Sequence, residues 1–436
     1  MSIDARSAQP TLVAPLVQRP IWARTTEIPD PGDLSSLLPS ASSALAWVRQ
    51  GDGLIGWGQL AVVHTVGPNR FASAQAAWQR LLDGLKVHDE VRLPGTGAIA
   101  FTSFTFDASA DRSMLIVPRF VVGRRGGRSW ITELGTAATA PAFTPTPPGA
   151  VGGHPAQLGP DEFEPLRELG RPRWGPGIVS TTAYRSAVVA ATGRMRAGRL
   201  DKVVLARDLL ARFDSPVDAR VLLARLARRH HDCWSYAVDG LVGATPELLL
   251  RKRGGVVESR VLAGTTWPGG AVGALGSAKN QQEHRYAVDS LRATLRPFCT
   301  TLTADGPKHL ALRNVTHLST DVRGVLAGRT APSVLQLAAS VHPTAAVGGT
   351  PSGLAAATIA DIEGSLGLRR GRYAGPVGWV DAAGDGELGL ALRCAQLSDR
   401  SARLFAGCGI VANSDPEVEL AESTAKFRAV ADVLDA

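Results

Sequence analysis

The chain has 436 residues, of which 44% are hydrophobic and 20% charged, and its formal net charge is +8. This length fits two or three domains or one large α/β unit, whose core needs no disulfide or metal for folding. The four scattered cysteines disfavour zinc, iron–sulfur and disulfide frameworks, and no apolar run approaches the ~18 residues of a membrane-spanning helix. Met1 to Thr25 lacks the layout of a signal peptide, so we expect a cytoplasmic protein that does not bind membranes.

The excess of positive charge permits an anionic partner but does not indicate a nucleic acid. The arginines are dispersed and aromatic residues make up 6% of the chain, whereas nucleic-acid surfaces combine clustered cations with aromatics. Six of the 47 cations are lysines, so a lysine inside an apolar strand is a noteworthy residue here.

Residues 1–40 are rich in Pro, Ser and Thr and predict an extended, partly mobile N-terminal lead. Residues 41–135 contain short strands and a helix from about Ala74 to Leu82. Residues 136–174 form a connector rich in Pro, Gly and Ala. The stronger elements come after this connector.

The second half, 175–436, mixes helices with hairpins and predicts an α/β (α+β) fold. No Gly-rich stretch has the spacing of a dinucleotide or P-loop site. The expected elements are, in chain order, a helix capped by Ser180, a strand at Lys202–Ala206, a helix at Ala278–Phe298, a helix at Asp361–Leu368, a hairpin at Pro376–Leu397, a turn at Gly407–Gly409, and a last helix with Asp415 as N-cap and Pro416 at N1.

Three glutamates on helices are candidate metal ligands. Glu419 and Glu422 share one face of the last helix with Lys426, because they are spaced i, i+3 and i+7. This face is either a solvated ion ladder or a magnesium site, since Mg²⁺ takes one or two protein carboxylates. Glu283 lies among apolar positions of the long helix and is either a surface charge or a buried carboxylate that a metal would compensate.

Lys202 and Glu247 are candidates for acid–base chemistry. Lys202 stands at the entrance of an apolar strand, where a lysine either protects a strand edge or, when buried, serves as a general base. Glu247 follows the tight turn Gly243–Pro246 and precedes an apolar run. It is either a turn carboxylate or a general acid that burial keeps protonated.

Anion-binding groups are the other candidates. The Gly407–Gly409 turn exposes backbone N–H groups. Arg393 lies among apolar strand residues, so its guanidinium needs a partner, which is either a bound carboxylate or the acid of a buried salt bridge. Tyr373 either donates its hydroxyl to the same anion or packs in the core. His342 opens a loop of small residues and is either a ligand contact or a structural hydrogen-bonding residue.

The order of these motifs is more specific than any one of them. They are Lys202–Arg207, Gly243–Glu247, Leu262–Thr265, Glu283–Arg285, His342–Gly349, Arg372–Gly378, Ala406–Val411 and Glu419–Glu422. In this order they resemble the chorismate-utilising enzymes, and most closely the isochorismate synthase branch. The resemblance is strong over 175–436 and looser before it.

The resemblance implies one large folding unit, a two-sheet α/β/β/α sandwich with 41–135 as its N-terminal part and 175–436 as the chorismate-binding catalytic core. It implies chorismate as the substrate, Mg²⁺ as the cofactor, a monomer without a glutaminase subunit, and a product that feeds menaquinone or siderophore synthesis. Lys202 matches the base that activates water for attack at C2, and Glu247 the acid that protonates the departing C4 hydroxyl. The matching Mg²⁺ ligands are Glu283 and Glu422, with Glu419 in or near their shell. The matching substrate contacts are Gly264, Thr265, His342, Tyr373, Arg393, Ala406, Gly407 and Lys426.

Two positions choose the branch. Anthranilate synthases resemble this chain but carry glutamine in place of Lys202, and some aminodeoxychorismate synthases carry a lysine in place of Ala263. Salicylate synthases share the Lys and Glu pair and stay as the alternative, together with a non-catalytic basic ligand-binding protein. Cys408, Ala345, Val261 and Asn280 depart from the family pattern.

Overall fold

The computed structural model describes residues 11–12, 21–108, 111–136, 163–266, 274–313, 315–328 and 331–436. Most of the predicted connector lies outside these ranges. The helices of the described part are α1 (Arg70–Leu82), α2 (Thr181–Arg196), α3 (Ala219–Arg229), α4 (Ala278–Leu295), α5 (Val334–Val341), α6 (Ser352–Ser365) and α7 (Pro416–Leu434). None of the helices among these residues is long and apolar enough to span a bilayer.

The strands carry most of the architecture. They are β1 (Thr11–Leu12), β2 (Ile21–Ile28), β3 (Leu45–Arg49), β4 (Asp52–Thr65), β5 (Lys86–Asp89), β6 (Ile99–Ser103), β7 (Ser113–Arg125), β8 (Arg128–Thr136), β9 (Arg173–Pro176), β10 (Lys202–Arg212), β11 (Trp234–Val238), β12 (Leu241–Thr245), β13 (Leu248–Arg253), β14 (Val256–Thr266), β15 (Cys299–Ala304), β16 (Lys308–Ala311), β17 (Thr316–Leu326), β18 (Gly349–Thr350), β19 (Pro376–Asp381), β20 (Gly386–Leu390), β21 (Cys394–Ser398) and β22 (Ser401–Ile410).

Pairing joins these strands into one sheet with two arms. One arm runs β10–β22–β21–β12–β11–β3–β4, and the other runs β7–β6–β19–β20–β13–β14–β17. The long pair β4–β7 connects the arms. All these pairs are antiparallel, and β2–β5 is a parallel pair beside them. The two predicted sheets are therefore arms of one continuous sheet.

Helices pack on both arms, as the predicted sandwich requires. Helices α2, α3 and α7 pack on the first arm, and α4 and α5 pack on the second. The main hydrophobic core takes buried residues from both sides of the predicted connector, for example Trp78 and Phe101 before it and Val203 and Trp379 after it. Burial of this shared apolar surface binds the two halves of the chain into one unit.

Side-chain caps explain why several helix starts were predictable. The Ser180 hydroxyl accepts from the amide of Ala183, and the Asp415 carboxylate accepts from two amides of the first turn of α7. These starts are confirmed. By contrast, α1 begins at Arg70 and α6 at Ser352, both earlier than expected, because Ala-rich turns show little hydrophobic periodicity.

Three expectations about local structure are wrong. Residues 21–28 of the predicted lead are the strand β2, whose residues Ile21 to Ala23 are buried. Gly407 to Gly409 are not a turn but the end of β22, paired with β10. Arg393 lies between β20 and β21 with a φ of 48°, because the chain there bends from one sheet arm to the other.

Candidate active site

Seven of the predicted site residues line one cavity of about 50 Å³ between β10, β22 and β14. They are Glu247, Thr265, Glu283, Tyr373, Arg393, Gly407 and Lys426. Residues separated by up to 179 positions in the sequence thus meet at one place. The enclosed volume holds a few water molecules.

Lys202 lies against this cavity through Glu283. The lysine opens β10 and is fully buried, and its Nζ is 3.2 Å from Oε1 of Glu283 on α4. Gly409 makes room for this pair, since a Cβ at that position would stand 2.1 Å from the same oxygen. The absence of a side chain on β22 is therefore required for the pair as it stands.

Glu247 lies between β12 and β13 and is 5% exposed. Burial raises the pKa of this carboxyl to about 8, although the Leu262 amide and the charges of Lys202, Arg393 and Lys426 act in the opposite direction. At neutral pH the carboxyl therefore carries a proton that it can donate. This is the protonation state that a general acid needs.

Lys426 connects the last helix to β22. Its Nζ is 2.6 Å from Oε1 of Glu422, one turn earlier on α7, and it donates to the carbonyl of Gly407 at 2.8 Å. In the antiparallel ladder with β10, every second residue of β22 directs its N–H and carbonyl towards β10. Gly407 is one of the residues in between, so its N–H and carbonyl point away from β10. The N–H of Gly407 points to the same side as its carbonyl and can donate to an anion in the cavity.

Arg393, His317 and Thr265 form a hydrogen-bonded chain at the cavity wall. Arg393 Nη2 is 2.9 Å from Nε2 of His317, and His317 Nδ1 is 3.1 Å from the Thr265 hydroxyl. Because a guanidinium only donates, Nε2 must accept and the proton must lie on Nδ1. Burial and the nearby charges of Arg393 and Lys426 hold the pKa of His317 well below its usual value, which agrees with a neutral ring.

Sequence reasoning missed His317. It sits in β17, where a histidine among strand residues gives no local signal, and its partners are 52 and 76 residues away. The strained backbone of Arg393, in the left-handed region, is a second feature that only the structure shows. Together they aim the guanidinium at the cavity.

Tyr373 completes the same wall. Its ring stacks on Phe405 with centroids 5.1 Å apart, and a Cβ at Gly407 would stand 3.1 Å from its hydroxyl. Burial raises the pKa of Tyr373 above its usual value, so the hydroxyl stays protonated and can donate. The Arg393 guanidinium, the Tyr373 hydroxyl and the Gly407 N–H thus offer three kinds of donor to an anion.

The remaining predicted metal ligands lie beside Lys426. Ligand atoms of Glu419, Glu422 and Cys408 all fall within 4.8 Å of one another, and all three residues are buried. Burial holds the pKa of the Cys408 thiol well above its usual value, and the thiol donates to the Glu419 carbonyl. The cluster therefore offers carboxylate oxygens, with a protonated sulfur next to them.

Three predicted contacts do not line the cavity. His342 bonds through Nε2 to the carbonyl of Phe106 at 2.8 Å, and burial lowers the pKa of its ring to about 3. His342 is not among the residues that line the cavity, and the Phe106 carbonyl occupies its Nε2, so its role as a substrate contact stays a prediction. Ala406 faces the core under α7. Gly264, with a φ of 76°, allows β14 to approach α4, since its Cβ would stand 2.9 Å from the Asn280 carbonyl.

Comparison with known proteins finds relatives of one family. Residues 44–435 match the family model described as "Chorismate binding enzyme". The chain is 40% identical to isochorismate synthase DhbC of Bacillus subtilis over 267 residues, which are 56% of this chain and 66% of that protein. It is 33% identical to isochorismate synthase EntC of Escherichia coli over 270 residues, 59% of this chain and 68% of that protein.

A solved structure extends the similarity to the whole chain. The menaquinone-specific isochorismate synthase MenF from Escherichia coli has a TM-score of 0.74 and 25% sequence identity. The match covers 99% of this chain and 97% of that chain, so it includes the part before the predicted connector.

Proposed function

The chain belongs to the family of chorismate-binding enzymes, and on that premise we propose that it is an isochorismate synthase, an isomerase that converts chorismate into isochorismate. The observation that carries the proposal is that one cavity has the protonated carboxyl of Glu247 in its wall and the buried amine of Lys202 behind it, 3.2 Å from the wall residue Glu283. The reaction exchanges a hydroxyl at C4 for one at C2, which needs one base and one acid.

In the proposed reaction Lys202 takes a proton from a water molecule, whose oxygen bonds to C2. The ring double bonds shift, the C4–O bond breaks, and Glu247 gives its proton to the departing hydroxyl, which leaves as water. One water is consumed and one is released, so substrate and product are isomers. Water as the nucleophile requires no ammonia, and we therefore expect a monomer that works without a glutaminase subunit.

The walls of the cavity suit a dianionic substrate. Arg393, Tyr373 and the N–H of Gly407 would bind the carboxylate of the pyruvyl group, because charged and neutral donors converge there. His317 holds the guanidinium in place by accepting from it. Thr265 on β14 and Lys426 on α7 line the same cavity and would contact the substrate from there.

We propose Mg²⁺ as the cofactor, held by Glu283 and Glu422, with Glu419 behind them. Hard carboxylate oxygens are the ligands that Mg²⁺ prefers, and the protonated Cys408 thiol would not compete. When bound, the ion would neutralise and orient the ring carboxylate of the substrate. Glu283 is the ion-pair partner of Lys202, so a cation that takes over this carboxylate would remove that partner from the lysine.

The decisive experiment incubates the protein with chorismate and Mg²⁺ and separates isochorismate, salicylate and pyruvate chromatographically. We expect isochorismate, loss of turnover with a chelator, and recovery with added Mg²⁺. Stoichiometric pyruvate from the start would instead identify a salicylate synthase. No turnover at any Mg²⁺ concentration would reject the enzyme and leave a ligand-binding protein. Sedimentation of the same sample tests the expected monomer.

A further inference from the structure

We propose that the buried ion pair between Glu363 and Arg370 is a positioning device that holds strand β10, and with it Lys202, against the cavity. The inference rests on the function proposed above, because it concerns the strand that carries the base. Neither side chain contacts Lys202. Both act through the backbone of the residues that follow it.

The outer edge of β10 has a gap in its strand pairing. One edge pairs with β22 from Val203 to Arg212. The other pairs with β18 at Lys202 and Val203 and with β9 from Leu209 onward. Within the described residues, no strand pairs with that edge from Val204 to Asp208. Unpaired backbone groups inside a protein cost free energy, so this gap needs other partners.

The ion pair fills the gap. Arg370 Nη2 donates to the carbonyl of Val204 at 2.7 Å, and Glu363 Oε1 accepts from the amide of Ala206 at 2.8 Å. The two side chains join each other through bonds of 2.6 and 2.8 Å. Arg370 is 3% exposed and Glu363 4% exposed. Two side chains therefore satisfy two strand groups that a neighbouring strand would otherwise satisfy.

The same pair connects β10 to two other walls of the cavity. Arg370 Nη1 donates to the carbonyl of Val347 at 2.9 Å, while the amide of Val204 donates to Gly348 in the same loop. The guanidinium also lies 4.1 Å from the centre of the Phe106 ring. Arg370 stands three residues before Tyr373, whose amide donates to the Arg370 carbonyl. The base strand, the loop and the tyrosine thus share one anchor.

Strand geometry transmits the effect to the base. Side chains two residues apart on a strand point to the same face, so Lys202 and Val204 face the same side. Val204 lines the cavity. A shift of the backbone at Val204 and Ala206 would therefore move the lysine relative to Glu283 and the cavity. An error of about 1 Å in a reacting group can lower a rate by about 10²-fold.

Two substitutions of one residue separate positioning from folding. Glu363→Ala removes both the charge opposite Arg370 and the acceptor for the Ala206 amide. Glu363→Gln keeps an amide oxygen as the acceptor for that N–H and removes only the charge. It is therefore the variant that tests the proposal if Glu363→Ala does not fold. The matched control is Asp218→Asn, which weakens an equally buried pair with Arg220 at the start of α3, where neither residue lines the cavity.

We expect Glu363→Gln to lower kcat about 10- to 100-fold with KM changed by no more than about twofold, because orientation and not substrate binding is lost. Asp218→Asn should lower the melting temperature and leave kcat of the folded protein unchanged. Equal kcat values for Glu363→Gln and Asp218→Asn would overturn the proposal. Restoration of activity in Glu363→Gln above that of Glu363→Ala would support it.

Hydrogen exchange of the intact chain gives a readout that does not depend on turnover. The peptide that contains Val204 to Ala206 should exchange faster in Glu363→Ala, which lacks the acceptor for the Ala206 amide, than in the parent chain and in Asp218→Asn. Unchanged exchange there would overturn the positioning role. If the parent chain does not turn over chorismate, the proposed function fails, while this exchange experiment still decides the role of the pair.

Discussion

Gly409→Ala should inactivate the protein with little loss of stability. Gly409 lies on β22 opposite Val204, and an added Cβ would stand 2.1 Å from Glu283 Oε1 and 3.1 Å from Lys202 Cε. Real Cβ atoms do not approach other heavy atoms within 3.0 Å, so the Glu283 carboxylate must retreat. The one added carbon therefore displaces the Glu283 carboxylate, which is both the candidate metal ligand and the ion-pair partner of Lys202.

The expected loss of folding stability is small and the expected loss of activity is large, so the two effects can be measured separately. The contact falls on the flexible end of the Glu283 side chain, so the cost should lie near the lower end of the ~1–3 kcal/mol typical of overpacking. Alanine also restricts the backbone of the unfolded chain more than glycine does, which stabilises the folded state by about 0.4–1 kcal/mol. A displacement of about 1 Å in a catalytic group should lower kcat about 10²-fold, which corresponds to about 2.7 kcal/mol in the activation barrier.

Urea unfolding followed by tryptophan fluorescence measures the first quantity, and chorismate turnover measures the second. Gly193→Ala is the matched control, since Gly193 is exposed on α2 and a Cβ there meets nothing within 4 Å. The control should gain about 0.5–1 kcal/mol of stability and keep its kcat. Parent-like kcat in Gly409→Ala would show that the position of the Glu283 carboxylate beside Lys202 is not needed for turnover.

Further predictions concern three residues of the site, Glu247, Lys202 and His317, and Glu387 in a separate buried ion cluster with three arginines. The Glu247 carboxyl, with its pKa raised to about 8 by burial in the free protein, donates its proton below that pH, so kcat/KM should fall as the pH rises through about 8, and Glu247→Gln should abolish turnover. The folded state holds this proton between the unfolded value of about 4.3 and about 8, so stability should fall as pH rises across that window, with a smaller slope in Glu247→Gln. Lys202→Ala should nearly abolish turnover with unchanged far-ultraviolet circular dichroism; a rate like that of the parent chain would reject the base. His317→Phe removes the acceptor for Arg393 and should raise KM about tenfold, with a smaller change in kcat, in steady-state kinetics. Burial opposes the charge of Glu387, but its arginine neighbours lower its pKa to about 2, so its contribution to stability is complete above about 4.3 and should be lost in acid unfolding as pH falls towards 2.

Local signals account for the parts of the fold that the sequence predicted. The caps at Ser180 and Asp415 act within one turn of their own helices, so the residues that make them are neighbours in the sequence. The bend at Arg393 has no such signal. Its left-handed backbone lies where the chain leaves β20, which pairs with β13, and enters β21, which pairs with β12. Nothing near position 393 in the sequence encodes these partners.

The two histidines show the same limit at the site. His342 begins a loop of small residues and looks like a ligand contact, yet its partner is the carbonyl of Phe106, 236 residues earlier. His317 has the appearance of an ordinary strand residue, yet β17 pairs with β14 and brings it between Thr265 and Arg393. A sequence states which groups exist, whereas pairing register decides which of two similar groups reaches the cavity.

The charges around the cavity explain why substrate and metal should bind together. Four cations of the described chain lie in or against it, namely Lys202, Arg370, Arg393 and Lys426. Three of them pair with buried carboxylates, and Arg393 instead donates to the neutral His317. A dianion alone would bring two further negative charges to a poorly solvated place that already holds the carboxylates of Glu283, Glu419 and Glu422, where such an excess is costly. A dianion accompanied by a divalent cation would leave the net charge unchanged, and binding of the proposed cation by Glu283 and Glu422 would free Lys202 and Lys426 to act on the substrate.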